Sequence, residues 1–256
     1  MRTDNIYFDL ESGPLAEEKL AIIRPSFDPA SVRGADEIGK PFDPTAVKLG
    51  RTKDPDKIEA IIEQARERGL RDQRELVQRV EEAEKKYFTD FAERAALDAC
   101  RGQVLAVGYL SDRGSRRIDD RDEKSMLVQF WDVFRSASGD GRKMVGFNLF
   151  HFDLPFLVRR TWLLGLHVPI DVIDRNRFWH PCFIDLAEVY RLGVHGEYKK
   201  LKEIAVSMGV TDELGDDDGA DFARLLEEDR PKAIEHLHLD LIRTKGIAER
   251  ILPNVE

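Results

Sequence analysis

The amino-acid sequence predicts an α/β fold: a mixed sheet flanked by helices, with a helical insertion after the first strand. Short apolar segments typical of buried strands dominate the first half of the chain, and amphipathic helical patterns dominate the second half. Residues 24–96 separate the first strand from the next one, and a connection of this length is typical of an insertion. We therefore expect a single domain over residues 1–256, with an insertion at about 24–96 that is partly irregular and partly helical.

The first strand and the insertion have different sequence patterns. Residues 5–10 predict a buried strand that Ser12-Gly13-Pro14 ends. Residues 24–56 are rich in proline, aspartate and glycine and predict an irregular connection. Residues 56–96 carry apolar side chains at helical spacing among charges, which predicts two helices separated near Gly69-Leu70-Arg71. Such a pair is either a solvated helical hairpin at the edge of the domain or a lid or dimer contact.

The remaining elements follow from the same patterns. We expect strands at 103–110, 115–119, 144–147 and 183–184, and helices at 122–138, 153–165, 199–208, 219–228 and 231–251. In the first of these helices the apolar positions share one face and should point inward; they are Met126, Leu127, Phe130, Trp131 and Phe134.

Composition limits the function classes. The chain has 256 residues, of which 42% are hydrophobic and 35% charged, so it can bury a core and also present long solvated helical faces. Its net charge of −9 argues against a protein that grips nucleic acid through a broad basic surface, but not against a nucleic-acid enzyme. Cys100 and Cys182 have neither disulfide-framework nor zinc-site spacing. With no signal peptide or membrane span in the sequence, we expect a cytoplasmic protein.

Four acidic residues lie within apolar segments: Asp9, Glu11, Asp153 and Asp240. Burying a carboxylate is costly unless something compensates its charge. A divalent cation is the simplest compensator, and ligands that are all oxygen suit magnesium or manganese. The set therefore indicates metal-assisted phosphoryl chemistry, and so a nuclease.

The first pair of acids lies on a strand. Side chains alternate along a strand, so Asp9 and Glu11 point to the same face and both can reach one metal pair. Leu10 points the other way, either into the core or towards a substrate base. Taken alone, the Asp-x-Glu pattern also fits two exposed strand charges.

The other two acids lie on predicted helices. Asp153 stands at a helix start, where the helix dipole favours a negative charge, although a plain capping aspartate would look the same. His236 lies four residues before Asp240, so the two side chains share one helix face. The pair can present a metal ligand and a proton-handling group together, or it can be a surface pair. His238 points away from that face.

In this order, the Asp-x-Glu, Asn-x3-Phe-Asp and helical aspartate segments resemble the DEDD superfamily of 3′–5′ exonucleases. The flanks Phe8-Asp9-Leu10-Glu11 and Gly146-Phe147-Asn148-Leu149-Phe150-His151-Phe152-Asp153-Leu154-Pro155-Phe156-Leu157 look like its first two motifs. Nearly the whole chain is similar to predicted exonucleases related to the proofreading domain of family-B DNA polymerases. Further shared segments are Thr52-Lys53-Asp54-Pro55-Asp56-Lys57-Ile58, Ala95-Ala96-Leu97-Asp98, Ile184-Asp185-Leu186, Lys200-Leu201-Lys202-Glu203-Ile204-Ala205 and Asp218-Gly219-Ala220-Asp221.

The resemblance implies a ribonuclease-H-like fold and a metal-dependent enzyme. It implies that Asp9 bridges two Mg²⁺ or Mn²⁺ ions and that Glu11, Asp153 and Asp240 complete their shells. The substrate implied is single-stranded DNA or a frayed 3′ end, with nucleoside 5′-monophosphate as product. The sequence does not separate this from an RNA-processing exonuclease, and a proofreading role would require a separate replication or repair partner.

The chain departs from the family at one catalytic position. The family-B type has tyrosine four residues before the last aspartate, and the other major branch has histidine five residues before it. This chain has His236 at the first position and Glu235 at the second. Either His236 replaces the tyrosine in orienting or deprotonating water, or the protein is a catalytically silent module that binds nucleic acid or a polymerase.

Substrate contacts are assigned to three residues of the motifs, Leu10, Asn148 and Phe152, of which the two apolar ones could pack against terminal bases. For Leu10 and Phe152, simple core packing is the alternative. Basic residues that could contact phosphates, or form solvated faces instead, are Arg159, Arg160, Lys199, Lys200 and Lys202.

Overall fold

A computed structural model describes residues 4–120, 122–173, 180–194, 196, 198–211 and 222–254. Two compact units divide the chain. The first unit consists of Met1–Ile23 and Glu93–Glu256, and the second of Arg24–Ala92. The four acidic residues of interest and His236 all belong to the first unit.

The first unit contains a five-stranded mixed sheet in the order β3-β2-β1-β4-β5. The strands are β1 Ile6–Pro14, β2 Gly102–Ser111, β3 Gly114–Ile118, β4 Met144–Gly146 and β5 Phe183–Asp185. β1 pairs antiparallel with β2 and parallel with β4, while β2–β3 is antiparallel and β4–β5 is parallel. The predicted mixed sheet and all five predicted strands are therefore confirmed.

Strand β1 lies at the centre of the sheet and is longer than predicted. Its apolar residues are buried on both faces, as expected for an inner strand. The expected end at residues 12–14 is wrong, because these residues pair with β2 after an irregularity between Glu11 and Ser12. The Ser12 hydroxyl also donates a hydrogen bond of 2.7 Å to the Ala96 carbonyl. Pairing with a neighbouring strand thus outweighs the local turn signal of glycine and proline.

Eight α-helices occur in the described part of the chain: α1 Glu17–Ile23, α2 Pro55–Ala95, α3 Glu123–Gly139, α4 Asp153–Leu163, α5 Leu186–Arg191, α6 Leu201–Ser207, α7 Phe222–Glu228 and α8 Arg230–Ile251. Short 3₁₀ turns lie at Pro29–Ser31, Ala35–Glu37, Pro44–Ala46, Ile170–Ile173 and Leu252–Asn254. Helices α1 and α5 were not predicted from the sequence, while α3, α4, α6, α7 and α8 lie where helices were expected.

Helices cover both faces of the sheet. Side chains of α3 and α4 join Phe8 and Leu10 of β1 in the largest core cluster. Side chains of α6 and α8 join Tyr7 and Val145 on the other side, and α7 packs with α8 over Ala106 of β2. All five α3 residues predicted to point inward are buried. The sheet is therefore a middle layer between two helical layers, the α/β arrangement that the sequence predicts.

The second unit contains an irregular segment and most of one long helix. The irregular segment was predicted and is confirmed, with its three 3₁₀ turns. The predicted break near Gly69 is wrong, because α2 runs unbroken for 41 residues. A helical glycine costs only about 1 kcal/mol relative to alanine, and the neighbouring residues are strong helix formers. Instead of a second helix, irregular chain packs along α2, with the rings of Phe27 and Tyr87 5.6 Å apart.

Within the described residues, no helix combines the length and apolar character that a membrane crossing requires. Both cysteines are free thiols; Cys182 is buried and Cys100 is exposed.

Gly108 of β2 pairs with Asp9 of β1. Because it has no side chain, Gly108 allows α8 to approach the sheet closely at this point. A Cβ atom at this position would lie 2.8 Å from Leu241 Cδ1 and 2.9 Å from Leu237 Cγ. Both leucines are buried residues of α8. Any side chain at residue 108 would therefore push against the helix that carries His236 and Asp240.

We expect Gly108→Ala to lower the free energy of unfolding by about 1–3 kcal/mol, because the added methyl group overpacks this contact. Urea unfolding followed by tryptophan fluorescence would measure the change. The matched control is Gly139→Ala at the end of α3, where a Cβ meets nothing within 4 Å. Equal unfolding midpoints for the two variants would contradict the close contact.

Candidate active site

Three separate parts of the chain bring the predicted acidic residues together. Asp9 and Glu11 project from the central strand β1, Asp153 is the first residue of α4, and Asp240 lies on α8. The negative charges of Glu11, Asp153 and Asp240 all act on the carboxyl group of Asp9. The tertiary structure therefore assembles in one place the four acids that the sequence singled out.

Burial and mutual repulsion both act on the β1 acids. Loss of water raises the pKa of Asp9 well above its ordinary value, and the charges of Glu11, Asp153 and Asp240 raise it further. Burial also raises the pKa of Glu11 well above its ordinary value, with added contributions from Asp240 and Asp153. These carboxyl groups resist carrying their charges together unless a cation compensates them.

Asp153 combines burial with a favourable backbone environment. Burial is the largest cause that raises its pKa, and the charge of Asp185 adds to it, while backbone hydrogen bonds at Asp153 and Leu10 oppose the rise; the resulting pKa is about 7. No side chain caps α4, whose preceding residue is Phe152, so Asp153 is the acidic group at the positive end of this helix. The contact with the Leu10 backbone links the first motif to the second.

His236 points its Nε2 atom towards the acids. This atom lies 3.6 Å from Asp240 Oδ2 and 3.9 Å from Glu11 Oε1, and the side chain is only 7% exposed. Glu235, one residue earlier, is exposed. The position four residues before Asp240 thus faces the site and the position five residues before it does not. His238 is also exposed and lies 3.3 Å from the Ser115 hydroxyl, away from the acids as predicted.

Arg243 is a site residue that the sequence interpretation missed. Its Nη1 donates a hydrogen bond of 2.7 Å to Asp240 Oδ1, and its guanidinium group is almost fully buried. This contact holds one oxygen of Asp240 and leaves the other facing His236. The three-residue spacing of Asp240 and Arg243 on a helix is the sequence signal that could have revealed the pair.

Asp185, at the end of β5, is a second residue to which the sequence gave no role. Its Oδ2 accepts a hydrogen bond of 2.9 Å from the Phe150 N–H, and its Oδ1 accepts one of 3.0 Å from the Ala187 N–H. Burial raises its pKa, although these backbone donors lower it in part. Asp185 therefore fixes the turn before Asp153, in which Asn148 has a left-handed φ of 58°.

The residues predicted to contact substrate have different environments. Leu10 is 5% exposed and belongs to the core, and Phe152 is half-buried with its ring 5.5 Å from that of Phe156. Asn148 lines a cavity of about 590 Å³ that also reaches Asp9 and Asp240.

The basic residues that could contact phosphates also differ in their surroundings. For Arg160 both expected alternatives, a phosphate contact and a solvated face, are wrong, because Arg160 is buried, pairs with Glu123 at 2.6 Å and donates to the Ala99 carbonyl. Arg159 is exposed on α4. The three predicted lysines all line the cavity; they are Lys199, Lys200 and Lys202.

The donor set fits a divalent metal in its chemistry. The four clustered carboxyl groups, of which Asp9, Glu11 and Asp153 have raised pKa values, offer only oxygen ligands, as hard cations prefer. In the described residues, no group of three or more His, Cys, Asp or Glu side chains is arranged to hold a metal ion as it stands. Repulsion between uncompensated carboxylates is a physical reason for such an open arrangement.

Comparison with known proteins identifies the family. The sequence model of the RNase_H superfamily matches residues 88–237. The chain belongs to this superfamily. The predicted ribonuclease-H-like fold is thereby confirmed, and RNase H-like nucleases generally use divalent metals. No curated protein matches the chain.

A solved structure supports the same fold for this superfamily member. The family B DNA polymerase from the hyperthermophilic archaeon Pyrobaculum calidifontis matches with a TM-score of 0.50 and 21% sequence identity. The match covers 63% of this chain and 23% of the polymerase chain. It agrees with the resemblance to DEDD-type exonucleases, and at this identity it establishes the fold alone.

The raised pKa of Asp153 makes the stability of the metal-free protein depend on pH. A carboxyl group whose folded pKa is about 7 and whose unfolded pKa is about 3.9 binds more protons when folded. Its contribution to stability therefore falls as pH rises through this window, by about 1.4 kcal/mol for each pKa unit of difference. Asp153→Asn removes this titration. With EDTA present, the free energy of unfolding of the variant minus that of wild type should therefore increase as pH rises from 4 to 7. Above pH 7 this difference should stay constant.

Urea unfolding at several pH values would measure this gap. Glu235→Gln, which removes an exposed carboxyl group of α8, should show no comparable widening of the gap. A gap between Asp153→Asn and wild type that is the same at every pH would show that Asp153 has no raised pKa.

Proposed function

We propose that the protein is a metal-dependent 3′–5′ exonuclease. It removes nucleoside 5′-monophosphates from the 3′ end of single-stranded or frayed DNA. The observation that carries this proposal is the cluster of Asp9, Glu11, Asp153 and Asp240 in a chain with an RNase H-like nuclease fold.

The acid cluster supports two Mg²⁺ or Mn²⁺ ions as cofactors. Asp9 is central, because the charges of the other three acids all act on it, and this suits a carboxylate shared by both ions. Glu11, Asp153 and Asp240 would supply the remaining protein ligands. When bound, such ions would supply a lower pKa for a coordinated water and stabilisation of the negative charge on the leaving oxygen.

His236 is the candidate for moving the proton of the attacking water. Its Nε2 atom lies on the side of Asp240 and Glu11, where the water would have to be deprotonated. Arg243 keeps Asp240 in one orientation through its other oxygen. Asp185 plays a positioning role, because it holds the backbone of the turn that leads to Asp153.

The direction of cleavage and the preference for DNA follow from resemblance. The order of the three acidic segments is that of DEDD-type 3′–5′ exonucleases, and the solved structure to which the chain is similar is a DNA polymerase. The fold by itself does not establish activity. DNA and RNA substrates therefore need to be compared directly.

Incubation of the protein with 5′-labelled single strands and Mg²⁺ or Mn²⁺ should give a ladder that shortens from the 3′ end. Asp9→Asn and Asp240→Asn should each lower the rate by at least about 100-fold, because loss of a metal ligand costs no less than loss of a supporting residue. Glu235→Gln is the matched control on α8 and should retain the wild-type rate. Assays of DNA and RNA strands side by side give the sugar preference. Absence of cleavage with every divalent metal would contradict the exonuclease proposal and favour a catalytically silent binding module.

His236→Ala should lower the cleavage rate by about 10²–10⁴-fold, the usual contribution of a general base. Its affinity for Mn²⁺, measured by calorimetry, should change far less, since the four carboxylates remain. His236→Tyr restores the residue type of the family-B branch and should recover part of the rate. Cleavage by His236→Ala at the wild-type rate would exclude His236 as the proton acceptor.

A further inference from the structure

The cavity at the acidic cluster has a second, basic and aromatic part. Beside Asp9, His236 and Asp240, its lining includes residues of α5, of the first turn of α6 and of the segment between these helices. These residues are Tyr190, Arg191, Tyr198, Lys199, Lys200 and Lys202. Its volume of about 590 Å³ lies within the range of about 300–1,000 Å³ typical of small-ligand sites, so it can hold a nucleotide-sized group.

The positive charge of this second part of the cavity suits phosphate groups. Three lysines lie within four residues, next to carboxylates that would bind cations, in a chain whose net charge is −9. Lys199 is exposed to solvent, whereas Arg191 forms an ion pair with Glu188. A strand whose terminal phosphodiester lies at the acids would therefore meet ammonium groups along its backbone.

Tyr198 offers an exposed aromatic surface at the same place. The side chain is 75% exposed, and the Arg191 guanidinium lies 5.3 Å from the centre of its ring. A guanidinium on one face supports the ring by a cation–π contact and leaves the other face open. Exposed rings beside a basic groove are the usual surfaces on which unpaired bases stack.

The aromatic surface is connected to the acidic cluster through Glu188. This residue of α5 accepts a hydrogen bond from Arg191, which contacts Tyr198. Glu188 Oε1 also lies 2.5 Å from Nε2 of His151, in the turn just before Asp153. The position of the ring is thereby tied to that of the catalytic segment.

We infer that Tyr198 and Lys199 form a binding subsite for the nucleotide upstream of the scissile bond, with the base on Tyr198 and the phosphate at Lys199. This inference rests on the proposed exonuclease function and specifies its substrate as an unpaired 3′ segment of at least two nucleotides. A base in a duplex is already paired and stacked, so a blunt duplex end would have to fray before it could use the subsite.

Binding tests the subsite without any need for cleavage. The probe is a 5′-fluorescein-labelled 12-mer of oligothymidine, titrated with the whole 256-residue chain in EDTA and followed by fluorescence anisotropy. Tyr198→Ala should raise Kd by about 5–100-fold, as expected for the loss of one base–aromatic stack, and Tyr198→Trp should restore tight binding. Lys199→Ala should lower the slope of log Kd against log salt by about 0.7, because one phosphate contact with a single strand is lost.

The matched controls are Trp162→Ala and Lys124→Ala, an exposed aromatic residue of α4 and an exposed lysine of α3 that do not line the cavity. Both should bind the 12-mer as wild type does. Absence of binding by wild type, or equal Kd values for Tyr198→Ala and Trp162→Ala, would overturn the subsite.

Cleavage separates this inference from the proposed function. The p-nitrophenyl ester of thymidine 5′-phosphate has a phosphodiester but no upstream nucleotide. With Mn²⁺, the fall in kcat/KM caused by Tyr198→Ala should be about 5–100-fold larger for the 12-mer than for this ester. Equal falls on both substrates would overturn the subsite. If wild type cleaves neither substrate, the exonuclease proposal fails, and the binding titration alone decides whether Tyr198 and Lys199 hold a strand.

Discussion

The repulsion between four clustered carboxylates is the constraint on which the rest of this structure depends. Burial and neighbouring negative charge raise the pKa values of Asp9, Glu11 and Asp153, so without a cation the cluster favours separation of its members. Only rigid supports can hold such groups together. Each acid accordingly lies on a regular element: the central strand, the first turn of α4 or helix α8.

Helix α8 carries the largest share of this task. It covers one face of the sheet, and the absence of a side chain at Gly108 lets it approach β2 closely. The same helix presents His236 and Asp240 to the cluster and fixes Asp240 through Arg243. Packing and the proposed chemistry are therefore coupled in one element, because a shift of α8 away from the sheet would also move Asp240, the proposed metal ligand, and His236, the proposed proton acceptor.

Local sequence patterns predicted most of the fold. The sheet strands and the inward face of α3 follow from periodicity, which reports the backbone geometry of neighbouring residues directly. The predictions were wrong where a glycine or proline was expected to end an element but neighbouring residues or a partner strand stabilised its continuation. Gly69 does not interrupt α2, because its neighbours favour a helix, and Pro14 remains in β1, because β2 offers a partner. Neither competition can be weighed from a short window of sequence.

For the site, the sequence by itself singled out the groups that come together in the fold: four acids in apolar segments, and a histidine one helical turn before the last acid. Alternation in β1 and the helical repeat of α8 are local properties, so they also determined which of these side chains share a face. Only the tertiary structure decided how other charges are used. Arg160 pairs with Glu123 rather than with phosphate, and Asp185 supports the turn before Asp153. These roles depend on burial and on partners more than 30 residues away in the chain, which local spacing does not encode.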